Sequence, residues 1–174
     1  MRNITLSEKK LEDQVIKNIK DTIQKFYSLD KDLIDKNLCE RCLVHRFAFY
    51  LQLKFENMYV DCEFNKSFYG NEVHSKILSN LNGNYVDILI HKRDNVFGHN
   101  FICFEVKKKK NKKDREKDRE NLEKLTKIDW YQDTNIKSFN YLYGFYFIIG
   151  KTIYESELFL YKDGNLIKSI FPFS

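Results

Sequence analysis

The sequence predicts an α/β protein, because two helix-like segments precede a series of strand-like segments that one charged helix interrupts. Val15, Ile19 and Ile23 recur every four residues, which is the spacing of one buried helix face. Residues 85–91 form an apolar, β-branched run typical of a buried strand. Along the chain we expect the order α, α, β, β, β, α, β and then a terminal hairpin.

The same patterns set the bounds of each predicted element. Ser7 is predicted as the N-cap of the first helix, and Asn37 as that of the second. The Asp163-Gly164 pair predicts the turn of the terminal hairpin. A helical turn is expected near 73–81 inside a polar segment. The predicted helices are 7–27, a second one starting near 37, and 114–128; the predicted strands are 58–64, 85–91, 100–107, 140–149, 158–161 and 166–171.

Composition excludes several classes of protein. The chain has 174 residues with only six glycines and one proline, so collagen-like and Gly- or Pro-rich low-complexity sequences are excluded. Hydrophobic residues make up 43%, which is enough to build a core and argues against a largely disordered chain. This length suits one domain.

No segment has the features of a membrane span or an export signal. The longest apolar stretch, 141–149, has nine residues, whereas a bilayer span needs about 20. The first residues lack the apolar centre of a signal peptide. We therefore expect a cytoplasmic protein with no membrane partner, in which the four cysteines are reduced.

Three charged residues at the ends of neighbouring predicted strands are candidates for a metal site. Asp87 lies within one apolar run, and Glu105 and Lys107 end the next, 18 residues later. Strand residues two apart share a face at about 6.5–7 Å, and an ionised carboxylate in an apolar strand is costly unless it is paired or bound to metal. The pattern predicts an oxygen-ligand site of the kind that takes Mg²⁺ (or Mn²⁺). The alternative is structural: Asp87 hydrogen-bonded at a strand edge, and Glu105 paired with Lys107.

Glu40 is a further acid at the start of the second helix. With Asn37 as the N-cap, Glu40 occupies the third helical position of a capping box, which explains it without catalysis. A helix start aimed at the sheet can also offer its carboxylate to a metal through water. His45 lies about 140° around the helix from Glu40, so we interpret it as a helix-face or core histidine.

These motifs and their order resemble the PD-(D/E)XK nuclease superfamily, to which many restriction endonucleases and repair nucleases belong. The resemblance covers about 37–150: a Glu in the first core helix, Val86-Asp87 in the second strand, and Glu105-Val106-Lys107 ending the third. It implies a restriction-endonuclease-like αβββαβ core with a mixed central sheet flanked by helices. To this core the chain adds an N-terminal helical extension (1–36) and a terminal hairpin (151–174).

The resemblance also implies roles for individual residues. Asp87 and Glu105 would be metal ligands, Lys107 the catalytic lysine, and Glu40 an outer acid that assists a metal. The reaction implied is phosphodiester cleavage by an activated water, usually of DNA. Three features depart from the family: no proline precedes Asp87, no glutamine stands early in the following helix, and no separate target-recognition domain is evident.

The positive charge of the chain is concentrated next to the candidate lysine. Residues 107–119 contain nine basic and three acidic residues, a net charge of +6, while the remainder has 21 basic and 22 acidic residues. Lysines beside a phosphate-cleaving site would bind a nucleic-acid backbone, although such runs are commonly solvated surfaces. The candidate nucleic-acid-binding residues are Lys108, Lys109, Lys110, Lys112 and Lys113.

Cys39 and Cys42 form a Cys-x-x-Cys motif. The other two cysteines, Cys62 and Cys103, are 41 residues apart, unlike the two tight pairs of a structural zinc site. We therefore expect four buried free thiols and no zinc.

The sequence thus predicts a small Mg²⁺-dependent nuclease that acts on DNA in preference to RNA, in defence, restriction or repair. A non-catalytic nucleic-acid-binding module on the same fold is the main alternative. A subunit of a larger nuclease or defence complex is a third. A nuclease of this size that cuts both strands of a duplex would work as a homodimer.

Overall fold

The computed structural model describes residues 5–63, 66–69, 72–75, 86–93, 100–127 and 141–170. The helices in these ranges are α1 (Leu6–Leu29), α2 (Lys31–Asp35), α3 (Glu40–Gln52) and α4 (Arg115–Thr126), with a short 3-10 helix at Ile153–Glu155. The strands are β1 (Tyr59–Cys62), β2 (Lys66–Tyr69), β3 (Glu72–Ser75), β4 (Ile88–His91), β5 (Asn100–Lys108), β6 (Tyr143–Ile149), β7 (Glu157–Lys162) and β8 (Asn165–Ser169).

Six of these strands form one mixed sheet in the order β1-β4-β5-β6-β7-β8. Strands β5 and β6 are parallel, and every other neighbouring pair is antiparallel. A parallel pair needs a crossover connection, and α4 lies in that connection. The predicted α/β class with a mixed sheet flanked by helices is confirmed.

The sheet separates two apolar clusters. On one face, α1 and α3 cover β5 and β6, with Phe47 of α3 packed against Phe26, Phe104 and Phe147. On the other face, α4 covers a smaller cluster that includes Leu122 and Tyr146. Because alternate residues of a strand point to opposite faces, Cys103, Glu105 and Lys107 of β5 belong to the α4 face.

Helix α1 begins with a capping box two residues earlier than predicted. The Thr5 hydroxyl accepts a hydrogen bond from the backbone N–H of Glu8, and the Glu8 carboxylate accepts one from the N–H of Thr5. The predicted N-cap, Ser7, is therefore wrong, since it already lies inside the helix. Within the ranges that the structure describes, no helix is both long and apolar enough to cross a bilayer.

The start of α3 also differs from the prediction. Cys39 is the N-cap and Glu40 is the first helical residue. Asn37 belongs instead to the end of α2, an unpredicted helix: its φ is 55°, its N–H donates to Ile34 O, and Leu38 N–H donates to Leu33 O. These are the bonds of a Schellman motif, in which asparagine tolerates the left-handed conformation. The capping-box explanation of Glu40 is therefore wrong.

The region between the first two strands of the sheet was predicted incorrectly. β2 and β3 pair with each other as a separate antiparallel hairpin, so the helical turn expected near 73–81 is wrong for 73–75, and its remainder lies outside the described residues. The terminal hairpin is confirmed. Asp163 and Gly164 have φ values of 51° and 76°, the positive pair that a type I′ turn requires.

Candidate functional site

Asp87 lies directly opposite Glu105 on the α4 face of the sheet. Ile88 pairs with Phe104, and extending this antiparallel register by one residue pairs Asp87 with Glu105. The Cβ atoms of such partners are about 4.5–5.5 Å apart. The backbone N–H of Val106 donates to Asp87 Oδ2 at 2.7 Å, which fixes the carboxylate against β5. Asp87 stands in the bend just before β4 and not inside the strand as predicted.

Glu105 is an almost completely buried carboxyl group. It is 4% exposed, and its Oε1 accepts a hydrogen bond from Asn121 Nδ2 at 3.2 Å. Burial, and then the nearby carboxylates of Asp87 and Asp118, raise the pKa of Glu105 well above its usual range. Burial is likewise the main cause that raises the pKa of Asp87 to about 6.

Lys107 is the cation of this cluster. Its Nζ lies 3.2 Å from Asp118 Oδ2 and 3.5 Å from Glu40 Oε1. Burial opposes its charge, but the carboxylates of Asp118, Glu40 and Asp87 outweigh burial and raise its pKa. The expected alternative pairing of Glu105 with Lys107 is therefore wrong, because each has other partners.

Glu40 reaches this cluster from the start of α3. Its Oε2 accepts a hydrogen bond of 2.8 Å from the backbone N–H of Lys108, and Asn111 Nδ2 lies 3.3 Å from the same oxygen. The carboxylate therefore holds the helix start against the end of β5. The four residues that the sequence singled out, Glu40, Asp87, Glu105 and Lys107, are brought together at one end of the sheet.

Two further members of the cluster, Asp118 and Asn121, were missed. Both lie on the inner face of α4, are 7% and 2% exposed, and contact Lys107 and Glu105 respectively. The sequence did contain a pattern that could have identified them. The spacing of a buried helix face is followed by residues 118, 121, 122 and 125. The charged residues around them made the whole helix look like surface.

The residues at this site fit a hard divalent cation. Within the described part of the chain, two buried side-chain oxygens, Asn121 Oδ1 and Tyr146 Oη, lack a hydrogen-bond partner, and the buried Asp118 Oδ2 lies 3.2 Å from Lys107 Nζ. Buried polar atoms normally have partners, so these oxygens suit water or ion ligation. Mg²⁺ binds through one or two carboxylates and keeps several waters, so Asp87 and Glu105 suffice as direct ligands. No three His, Cys, Asp or Glu side chains in the described ranges gather into a metal-binding group by themselves.

The lysines between 108 and 113, at the end of β5 and just after it, form two groups. Lys108 Nζ donates to Leu38 O at 2.8 Å, and Lys109 Nζ donates to Glu155 O at 2.8 Å, so both ammonium groups already have protein partners. The second group is exposed, and within the described residues its side chains make no hydrogen bond or ion pair. These free cations are Lys110, Lys112 and Lys113.

The cysteines are free thiols, but the prediction that all are buried is wrong. Cys103 is buried and Cys62 partly buried, whereas Cys39 and Cys42 are exposed at the start of α3. His45 is exposed on the outer face of α3, away from the acidic cluster, in agreement with its interpretation as a helix-face residue.

No protein-family model, curated protein or solved structure matches this chain.

Proposed function

We propose that this protein is a metal-dependent nuclease that hydrolyses phosphodiester bonds of nucleic acid, with DNA as the favoured substrate. The observation that carries the proposal is the placement of two acids side by side, the half-buried Asp87 just before β4 and the buried Glu105 of β5, with Lys107 beside them. Burial is the main cause of their raised pKa values, and a bound divalent cation would favour the ionised carboxylates.

The architecture supports the same proposal. A helix that supplies Glu40 precedes an antiparallel series of β1, β4 and β5, and α4 then leads to the parallel strand β6. This order resembles the αβββαβ core of PD-(D/E)XK nucleases, with the acids at corresponding places. The β2–β3 hairpin is an insertion between the first two strands of that core.

In this proposal each residue has a distinct task. Asp87 and Glu105 hold Mg²⁺ or Mn²⁺, which would acidify a bound water and offset the charge that develops on the phosphate. Lys107 orients the attacking water or the phosphate through its ammonium group. Glu40 orients the Lys107 ammonium and can bind the water shell of a cation. Asn121 holds Glu105 in place, and Asp118 holds Lys107.

The free cations supply the affinity for a polyanionic substrate. Lys110, Lys112 and Lys113 follow the end of β5 directly, so a backbone bound to them would pass close to Lys107. Contacts of this kind release counterions, and their strength falls steeply with salt without regard to sequence. This agrees with the absence of a recognisable sequence-reading element in the described residues.

Cleavage assays test this proposal. The purified chain is incubated with Mg²⁺ or Mn²⁺ and with plasmid, linear duplex, single-stranded DNA or RNA. We expect Asp87→Asn and Lys107→Ala each to lower the cleavage rate by at least about 100-fold. The matched controls are Asp13→Asn and Lys124→Ala, whose side chains are exposed on α1 and α4. Parental rates in both site variants would refute the proposal.

The second candidate is a nucleic-acid-binding module without turnover, which the exposed lysines favour. Titration separates it from the nuclease. A binding module shows salt-dependent affinity that is unchanged by Asp87→Asn and gives no product with either metal. The nuclease gives product that chelation abolishes.

A further inference from the structure

Two exposed thiols contact each other at the N-terminus of α3. Cys39 is the N-cap, with extended φ and ψ of −61° and 151°, and the backbone N–H of Cys42 donates to its carbonyl oxygen. The two Sγ atoms are 2.9 Å apart. A disulfide requires about 2.05 Å between the sulfurs, so bond formation needs only about 1 Å of approach. Both side chains are open to solvent.

The surroundings of this pair favour a thiolate at Cys39. The hydrogen bond shared with the Cys42 thiol, and then one from the Cys42 backbone, lower the pKa of Cys39, with smaller contributions from Arg41 and Lys108. The same shared bond raises the pKa of Cys42. Thiolates at helix N-termini near basic residues are the reactive ones in proteins. The pair is therefore asymmetric, with an attacking thiolate and a neighbouring thiol.

The other two cysteines provide an internal contrast. Burial raises the pKa of Cys62 to about 11, and Cys103 is 0% exposed. The Cys103 thiol donates to the backbone oxygen of Tyr143 at 3.7 Å. Reactivity towards thiol reagents should therefore differ sharply within one chain.

We propose that Cys39 and Cys42 are a redox-active dithiol that low-molecular-weight disulfides oxidise reversibly to an intramolecular disulfide. The Cys39 thiolate attacks one sulfur of the small disulfide, whose S–S bond breaks and releases one thiolate. Cys42 then loses its proton and attacks the Cys39 sulfur, which releases the second thiolate. The protein dithiol is oxidised, one small disulfide is reduced to two thiols, and excess small thiol reverses the sequence. This inference goes beyond the proposed nuclease activity and requires neither a metal nor nucleic acid.

Alkylation after a glutathione treatment tests the proposal. The reduced chain is incubated with oxidised glutathione, quenched in acid, alkylated and mapped by peptide mass spectrometry. We expect a Cys39–Cys42 disulfide while Cys62 and Cys103 are alkylated, and we expect reduced glutathione to restore all four thiols. Glutathione adducts spread evenly over the four cysteines, or no intramolecular disulfide, would overturn the proposal.

Single substitutions test the order of attack. Cys42→Ser should accumulate a glutathione adduct on Cys39, whereas Cys42 in Cys39→Ser should react at least about ten-fold more slowly at pH 7. Serine is itself a good N-cap, so Cys39→Ser should keep α3, and Cys42 is exposed in the first turn of the helix, so Cys42→Ser should keep it too; circular dichroism checks both. Cys62→Ser is the control and should leave the rate of disulfide formation unchanged. Equal rates in Cys39→Ser and Cys42→Ser would contradict the assigned roles.

Discussion

Strand β5 contributes Phe104 and Val106 to one face of the sheet and Glu105 and Lys107 to the other. The first pair is 0% exposed and lies in the larger apolar cluster beneath α1 and α3. Glu105 is 4% exposed but faces Asp87, Asn121 and the carboxylate of Asp118. Burial of the apolar pair stabilises the fold by roughly 2 kcal/mol for each side chain. Burial of the acid costs stability unless a cation is bound.

Because alternate residues of β5 point to opposite faces of the sheet, the same strand supplies apolar side chains to the core and charged side chains to the candidate site. On the face covered by α1 and α3, loss of side-chain volume would leave a cavity and lower stability. On the α4 face, carboxyl groups are buried near one another, which lowers stability when they are ionised. Removal of apolar volume beneath α1 and α3 and removal of a buried charge beneath α4 should therefore have effects of opposite sign on stability.

The largest effect is expected on the apolar face. Phe47→Ala removes a ring that packs at centroid distances of 5.0–5.9 Å against Phe26, Phe104 and Phe147. The resulting cavity should lower the free energy of unfolding by about 3–5 kcal/mol, measured by urea denaturation. Phe49→Ala is the matched control, since Phe49 is 49% exposed on the same helix and should cost less than about 1 kcal/mol. Similar losses in both variants would contradict the assignment of this face.

The second effect is a gain on the α4 face that depends on pH. The pKa of Asp87 is raised to about 6 by burial, so the folded state binds a proton more tightly than the unfolded state. Its stabilising contribution is complete below about pH 3.9 and is lost as the pH rises through about 6. The Asp87→Asn variant keeps a side-chain oxygen that can accept the hydrogen bond from Val106 N–H. It has no carboxyl group to ionise, so it does not lose stability as the pH rises.

We expect Asp87→Asn to become more stable than the parent by about 2 kcal/mol between pH 4 and pH 7.5, measured by urea unfolding with a chelator present. Asp13→Asn should show no such trend. If the difference between Asp87→Asn and the parent is independent of pH, the buried-acid interpretation fails.

Two buried tyrosine hydroxyls, one on each face, should show a smaller difference in stability on removal. The Tyr27 hydroxyl, below the apolar face, donates to Gly150 O at 2.9 Å, whereas Tyr146 Oη on the α4 face is buried without a partner in the described residues. Tyr27→Phe should lower the free energy of unfolding by about 1 kcal/mol, and Tyr146→Phe should raise it by up to about 1 kcal/mol. Differential scanning calorimetry measures both, and equal signs would count against the contrast.

The sequence predicted most elements because hydrophobic periodicity is local. The prediction failed at Asn37 because asparagine suits both the start and the end of a helix. The hydrogen bond from Leu38 N–H to Leu33 O identifies Asn37 as part of the end of α2. The prediction failed for β2 and β3 because each has only four residues, in which polar and apolar side chains do not alternate clearly. Within the site, Asp87, Glu105 and Lys107 stood out as charges among apolar residues, while Asp118 was hidden among other charges on α4.

The smallest effect on stability is expected at the exposed lysines. Lys112→Ala and Lys113→Ala should change the free energy of unfolding by less than about 0.5 kcal/mol. Each should reduce the slope of log affinity against log salt for DNA by about 0.9, measured by fluorescence anisotropy. Lys124→Ala is the control and should leave the slope unchanged. An unchanged slope in both variants would remove these lysines from the proposed interface.

The hydrogen bond from Tyr27 to Gly150 joins residues 123 positions apart, and Tyr27 also bonds Ser156, 129 positions away. During synthesis α1 therefore leaves the ribosome long before its partners exist. Its apolar stripe can pack against α3 early, but its hydrogen bonds to Gly150 and Ser156 form only after most of the sheet has been made. Such non-local contacts form late in folding, so α1, which precedes every strand of the sheet along the chain, is expected to dock on the sheet late.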